Sequence, residues 1–170
     1  APAQYGAIHF HDDDIYDCGW DTDFSFTIPV DFKSGVYAVR LKGDGIEDMI
    51  PFIVRPVAGK PQADVCVLIP SFTYTVYANY QRHNTDDEFR ARVADWGARP
   101  WIVDDHPDYG LSTYNFQSDG SGICYSSRLR PVINMRSGLL SYVDKRGSGL
   151  RHFPADTHLL CWLEKNNHDY

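Results

Sequence analysis

"DVCVLIPSFTYTVYANYQRHN", residues 64–84, decides how the chain is read. Val65, Val67, Leu68 and Ile69 form a nearly continuous apolar run, the pattern of a strand covered on both faces. After Pro70 the character changes. Tyr74, Tyr77 and Tyr80 follow in quick succession, mixed with Thr73, Thr75 and Asn79. In α/β domains ligands sit where loops leave the carboxyl ends of strands. The run therefore predicts a buried strand over 64–69 and a site-forming loop over 71–80.

Upstream of this stretch the sequence is strand-like. "TDFSFTIP" alternates, with Phe24, Phe26 and Ile28 on one side. "SGVYAVRLKGDG" and "DMIPFIVRP" read as two more strands, the first followed by Gly43-Asp44-Gly45 and the second placed at an edge by Pro51. Three short strands cannot close a core by themselves. Residues 1–56 are therefore expected to be the end of an antiparallel β-sandwich, and 57–63 a Pro/Gly linker.

Downstream, 64–170 is expected to be the N-terminal part of an α/β domain, which makes the fold class a mixed α+β one. "TDDEFRARVADWG" predicts a helix capped by Thr85 or Asp86, with Phe89, Val93 and Trp96 on one face and Gly97 at its end. "RPWIVDD" predicts another short strand. Residues 104–127 are polar, Gly-rich and aperiodic. "FPADTHLLCWLEKNN" predicts a helix with Pro154 in its first turn and Leu159, Leu160, Trp162 and Leu163 as its buried stripe. His168-Asp169-Tyr170 reads as the start of a further strand, so the chain is expected to be a piece of a longer polypeptide.

Composition removes several classes of function. The 170 residues carry a formal net charge of −7, with Lys and Arg scattered and no basic stripe, which argues against a nucleic-acid partner. No apolar run approaches the roughly 18 residues of a membrane span. Cys18, Cys66, Cys124 and Cys161 lie far apart without metal-ligand spacing, which fits a reducing, cytoplasmic compartment. Cys66 and Cys161, in apolar runs, are expected to be small buried hydrophobes.

The chemistry-bearing residues leave alternatives. A phenolate is a hard anionic oxygen ligand that suits Fe(III), and only a strong Lewis acid deprotonates a phenol at neutral pH. Two phenolates and a carboxylate would neutralise a ferric ion. The plainer reading of Tyr74 and Tyr114 is packing, with their hydroxyls on backbone groups. Cys124 in "GICYS" faintly resembles a nucleophile elbow, with His152, His158 and Glu164 downstream, but Ser126 replaces the second glycine. That would make a cysteine hydrolase. "HFHDDDIYDCGWDTD" (9–23) reads as a solvated turn rather than a Ca²⁺ loop. Arg128 and Arg130 of "RLRP" hold a substrate carboxylate or pair with nearby Asp, and pairing is the preferred reading. "SDGSG" lacks the Lys-Ser/Thr of a phosphate-binding loop. A non-enzymatic alternative is a β-sandwich scaffold module whose exposed aromatics bind glycans.

At these residues a family resemblance enters. "GWDTDFSFTIP", "KSGVYAVRL", "PFIVRP", "IPSFTYTVYANY", "HPDYGLSTYNFQSDGSGICYSSRLRP" and "FPADTHLLCWLEKNNHDY" together resemble the large (beta) subunit of N,N-dimethylformamidase, over nearly the whole chain. The resemblance implies a hydrolase that splits a small N-alkylated formamide into formate and an amine. It implies a mononuclear Fe(III) held by two Tyr and one Glu, and a hetero-oligomer with a small subunit. Carried over residue by residue, the Tyr of "LSTY" is Tyr114 and the Tyr of "SFTY" is Tyr74, with Tyr77 of "VYAN" the competing choice for the second. The Glu ligand and further catalytic residues are expected past Tyr170, so this fragment is expected to be inactive alone.

Overall fold

A computed structural model describes residues 11, 13–83, 85–95, 102–136, 139 and 150–170. Its sheet is a two-stranded antiparallel hairpin, β1 (Gly35–Gly43) and β2 (Ile46–Val54), in register from Gly35 opposite Val54 to Gly43 opposite Ile46. Asp44 and Gly45 turn the hairpin with φ of 44° and 78°. Two positive φ values in a two-residue loop match the right-handed twist of the strands, and Asp-Gly is among the sequences that tolerate them best. Tyr37 lies opposite Phe52 with rings stacked at 5.8 Å, and Phe32 stacks on Tyr37 at 4.9 Å. Each such pair contributes about 0.5–1.5 kcal/mol beyond its buried area.

Among the described residues three helices follow: α1 (Ser71–Val76), α2 (Asp87–Asp95) and α3 (Phe153–Lys165). The mixed α and β character is as the sequence predicted. Asp86 caps α2, its carboxylate accepting from the Phe89 amide at 2.8 Å. Phe89 and Val93 then bury against Ile102. Trp96 and Gly97 lie outside the described residues. In α3, Phe153, Leu160 and Leu163 face inward.

Several expectations are corrected. The stretch 22–29 is in no ladder; Phe26 packs edge-on against Phe52 at 6.2 Å while staying half exposed. The apolar run 64–69 has no strand partner among the described residues, and Leu68 is 90% exposed. The predicted loop after it begins as α1. Within "RPWIVDD", Arg99, Pro100 and Trp101 fall outside the described residues, and Val103–Asp105 is a 3₁₀ turn, not a strand. Asp104 explains the turn: its two carboxylate oxygens accept from the Arg82 amide (3.1 Å) and the Thr85 hydroxyl (2.5 Å), which curls the backbone back. Leu159 and Trp162 are exposed, being on the strip of α3 that neighbours the buried one of Leu160 and Leu163. Cys66 and Cys161 are exposed with them, and all four cysteines are free. No helix among the described residues is long and apolar enough to cross a membrane.

Candidate functional site

The site is built on α1. Pro70, with φ at −78°, precedes the helix, and its carbonyl accepts the Tyr74 amide at 3.2 Å. The helix stops where Asn79 takes a left-handed φ of 57°. Asn79 is fully buried. Its amide nitrogen donates to the Tyr109 carbonyl (3.1 Å) and the Pro131 carbonyl (2.7 Å), and its oxygen accepts the Ile133 amide (3.0 Å). Asn134 closes the loop, accepting the Asn79 amide and donating to the Tyr77 carbonyl at 3.0 Å. One residue beyond Tyr80, Gln81 and Asn115 exchange backbone–side-chain bonds of 3.0 and 2.8 Å. Ser112 donates to the Val76 carbonyl at 2.7 Å. These buried amides and hydroxyls clamp the end of α1 to the aperiodic loop, fixing the backbone of Tyr77 and Tyr80 relative to Tyr114.

The result is a cluster of phenols. Tyr77 and Tyr114 stack face to face, with centroids 4.3 Å apart and planes 10° from parallel. Tyr80 meets both edge-on, at 6.1 and 6.3 Å. Arg151 places its guanidinium over Tyr77, 4.7 Å from the ring centre, and the His152 ring lies 4.5 Å from the same ring. Tyr77, Tyr80, Arg82, Tyr114, Leu150 and Arg151 line a cleft of about 500 Å³. The Tyr77 hydroxyl, by hydrogen bond and by charge, pushes the Tyr114 phenol above its ordinary pKa, and Arg151 opposes that shift. His152 starts α3 with φ 52° and ψ −129°, a conformation uncommon for a side chain with a Cβ. Burial first, then the Arg151 charge, lowers its pKa.

Tyr74, three residues before Tyr77, goes elsewhere. It is 2% exposed, packs edge-on to Phe153, and donates its hydroxyl to Asp156 at 2.5 Å. Burial, then that carboxylate, pushes its pKa far above the usual phenol value. The unfolded chain releases the proton near pH 10 while the folded one keeps it, so the folded state loses stability as pH rises past about 10. Tyr74→Phe strands the Asp156 carboxylate; we expect a loss of about 1–2 kcal/mol, read as a lowered urea midpoint for α1 and α3.

The remaining sequence candidates disperse. Cys124 is exposed, its thiol's hydrogen-bond partner is the Gly122 carbonyl at 3.9 Å, and His152 stands with Tyr77 instead. His106 stacks on Tyr109, which meets Trp20 edge-on. Asp13 and Asp14 accept from Ser118 and Gln117, so the acidic turn braces the loop. Asp119 accepts from Ser121 within "SDGSG". Among the described residues Arg128 and Arg130 have no Asp partner, unlike the preferred reading: Arg128 reaches the Ser71 hydroxyl at 3.4 Å, and Arg130 donates to Ser126 Oγ and to the carbonyls of Leu111 and Ile15. Sequence reasoning passed over Gln81, Ser112, Asn115, Asn134 and Arg151. They are spread over loops without periodicity, and only the fold brings them together.

These features, a phenol cluster clamped to an aperiodic loop beside an open cleft, accompany a sequence match over the whole chain. Residues 1–170 match the family described as "N,N-dimethylformamidase beta subunit-like, C-terminal", and the chain belongs to that family. Among characterised proteins it is similar to the N,N-dimethylformamidase beta subunits of Paracoccus aminophilus and of an Alcaligenes species. Each is 40% identical over 177 residues, covering 99% of this chain and 22% of the relative. The chain thus spans about a fifth of the length of the curated relatives it matches.

Proposed function

We propose that this chain forms part of the metal-binding core of a hydrolase that cleaves a small N-alkylated formamide with water, giving formate and an amine. In this reading it belongs to a large subunit that assembles with a small one, as the name "beta subunit" indicates for its relatives. Tyr77 and Tyr114 would hold a ferric ion through their phenol oxygens. The observation that supports this is their face-to-face stack at 4.3 Å, which places two hard oxygen donors side by side at a cleft. Among the described residues no cluster of three or more His, Cys, Asp or Glu offers a rival metal site. A carboxylate would complete the set as the third donor.

Iron(III), when bound, supplies Lewis acidity toward a carbonyl oxygen. The chain's own residues do the rest of the work described here. Arg151, over the Tyr77 ring, partly offsets the rise that Tyr77 imposes on the Tyr114 phenol. Tyr80, edge-on to both rings, restricts them to one arrangement. A tertiary formamide has no N–H to donate, so it is oriented by apolar contact; Leu150 and the ring faces supply it.

The test is made on the full-length protein. Purified protein is expected to contain about one iron per large subunit, show a visible phenolate-to-Fe(III) charge-transfer band, and release formate from N,N-dimethylformamide. Cys124→Ala is expected to retain band and turnover. Absence of the band in iron-containing active protein sinks the phenolate assignment, and loss of turnover with the band retained in Cys124→Ala moves the chemistry to the thiol.

A further inference from the structure

A second cleft, of about 550 Å³, lies between β2, α1 and the segment 128–136. It adjoins α1 at Ser71, Tyr74 and Thr75, whereas the tyrosine cleft begins at Tyr77. Four arginines are among its lining residues, Arg55, Arg128, Arg130 and Arg136, beside apolar walls that include Phe52 and Met135. No Asp or Glu is among its described lining residues. In a chain of net charge −7 this runs against the overall balance.

Among the described residues only Arg136 has a carboxylate partner: it lies 3.6 Å from Asp48 and donates to the Met49 carbonyl. Arg128 donates to the neutral Ser71 hydroxyl at 3.4 Å and has no carboxylate partner among the described residues. Arg130 is 5% exposed and bonds three neutral oxygens, and its Nε is buried without a partner among the described residues. Gly110, at φ 79°, lets the guanidinium lie against the backbone; a Cβ there would collide with it. A buried guanidinium without a carboxylate is costly to maintain, and a bound anion offsets that cost. Arginine forks match carboxylates with two parallel hydrogen bonds.

We propose that this cleft binds a small organic carboxylate, its acid group held by Arg55 and Arg128 above the buried Arg130 and its hydrocarbon part against Phe52 and Met135. The inference stands apart from the metal reading, since it uses none of the proposed ligands. Benzoate is the probe, titrated into the full-length protein at constant ionic strength by calorimetry and thermal unfolding. Binding is expected to saturate and to raise Tm with the logarithm of benzoate concentration. Arg55 and Arg128 are exposed, so the double variant R55Q/R128Q folds and is expected to weaken binding at least tenfold. Formate, lacking the hydrocarbon, and phosphate, lacking the planar acid, are each expected to bind at least about tenfold more weakly than benzoate. No saturable benzoate binding, equal binding in the double variant, or equal or tighter binding of formate or phosphate each overturns the proposal.

Discussion

Tyr77→Phe and Tyr114→Phe, made separately in the full-length protein, are each expected to lower iron affinity by more than about a hundredfold and to abolish the visible band. The scale follows from outer partners of metal sites, which alone cost about 10–100-fold when removed. Formamide turnover is expected to fall with the iron. Tyr74→Phe, by contrast, keeps its iron and loses only stability. The distinction rests on where the hydroxyls go. Tyr74 spends its proton on Asp156 in a buried pocket, and its ring partner is Phe153. Tyr114 has Tyr77 and Tyr80 as ring partners at an open cleft. A phenol becomes a ligand only by losing its proton, and burial beside a carboxylate opposes that loss. Iron content and absorbance of the three variants decide the matter. Iron lost from Tyr74→Phe and retained in Tyr77→Phe would transfer the assignment to Tyr74.

That choice was open in the sequence for a physical reason. "SFTYTV" is rich in aromatic and β-branched residues, which local preference places in strands, and six residues are too few to display a helical period. What makes it helical is tertiary: the Tyr74–Asp156 bond and the Asn79 turn. Once helical, α1 sends Tyr74 and Tyr77 to different neighbours along the start of α3, which no loop reading separates. Signals that act within a few residues were legible. Asp44-Gly45 specifies the hairpin turn, and Asp86 with Phe89 and Val93 specifies α2. Pro154 with Leu160 and Leu163 specifies α3, though not which half of its apolar side faces inward. The run 64–69 has the composition of a doubly covered strand, but composition does not state what covers it. The family resemblance names Tyr114 with Tyr74, and Tyr77 only as the competing choice; the Tyr77–Tyr114 contact is not legible there, because it depends on amides as distant as Asn79 and Asn134.

Asn79 is where those distant contacts converge, and its replacement is expected to have the largest effect on folding. Asn79→Ala removes the donor to the part-buried Tyr109 and Pro131 carbonyls and the acceptor for the buried Ile133 amide, leaving three backbone groups unmatched. It also puts an alanine at φ 57°, which costs roughly 1–2 kcal/mol. Together we expect about 3–5 kcal/mol of local stability to be lost. Asn79→Gly separates the two causes: glycine accepts the left-handed backbone, so this variant recovers about 1 kcal/mol and no more. Amide hydrogen exchange over 77–81 and 109–115 is the suitable measurement, since it reads local opening segment by segment and needs no two-state unfolding. Both segments are expected to lose protection together, because one side chain ties them, and the Tyr77–Tyr114 stack should loosen with them. If Asn79→Gly exchanges like the native protein, the side-chain bonds contribute nothing, and the phenols must owe their alignment to the rings alone.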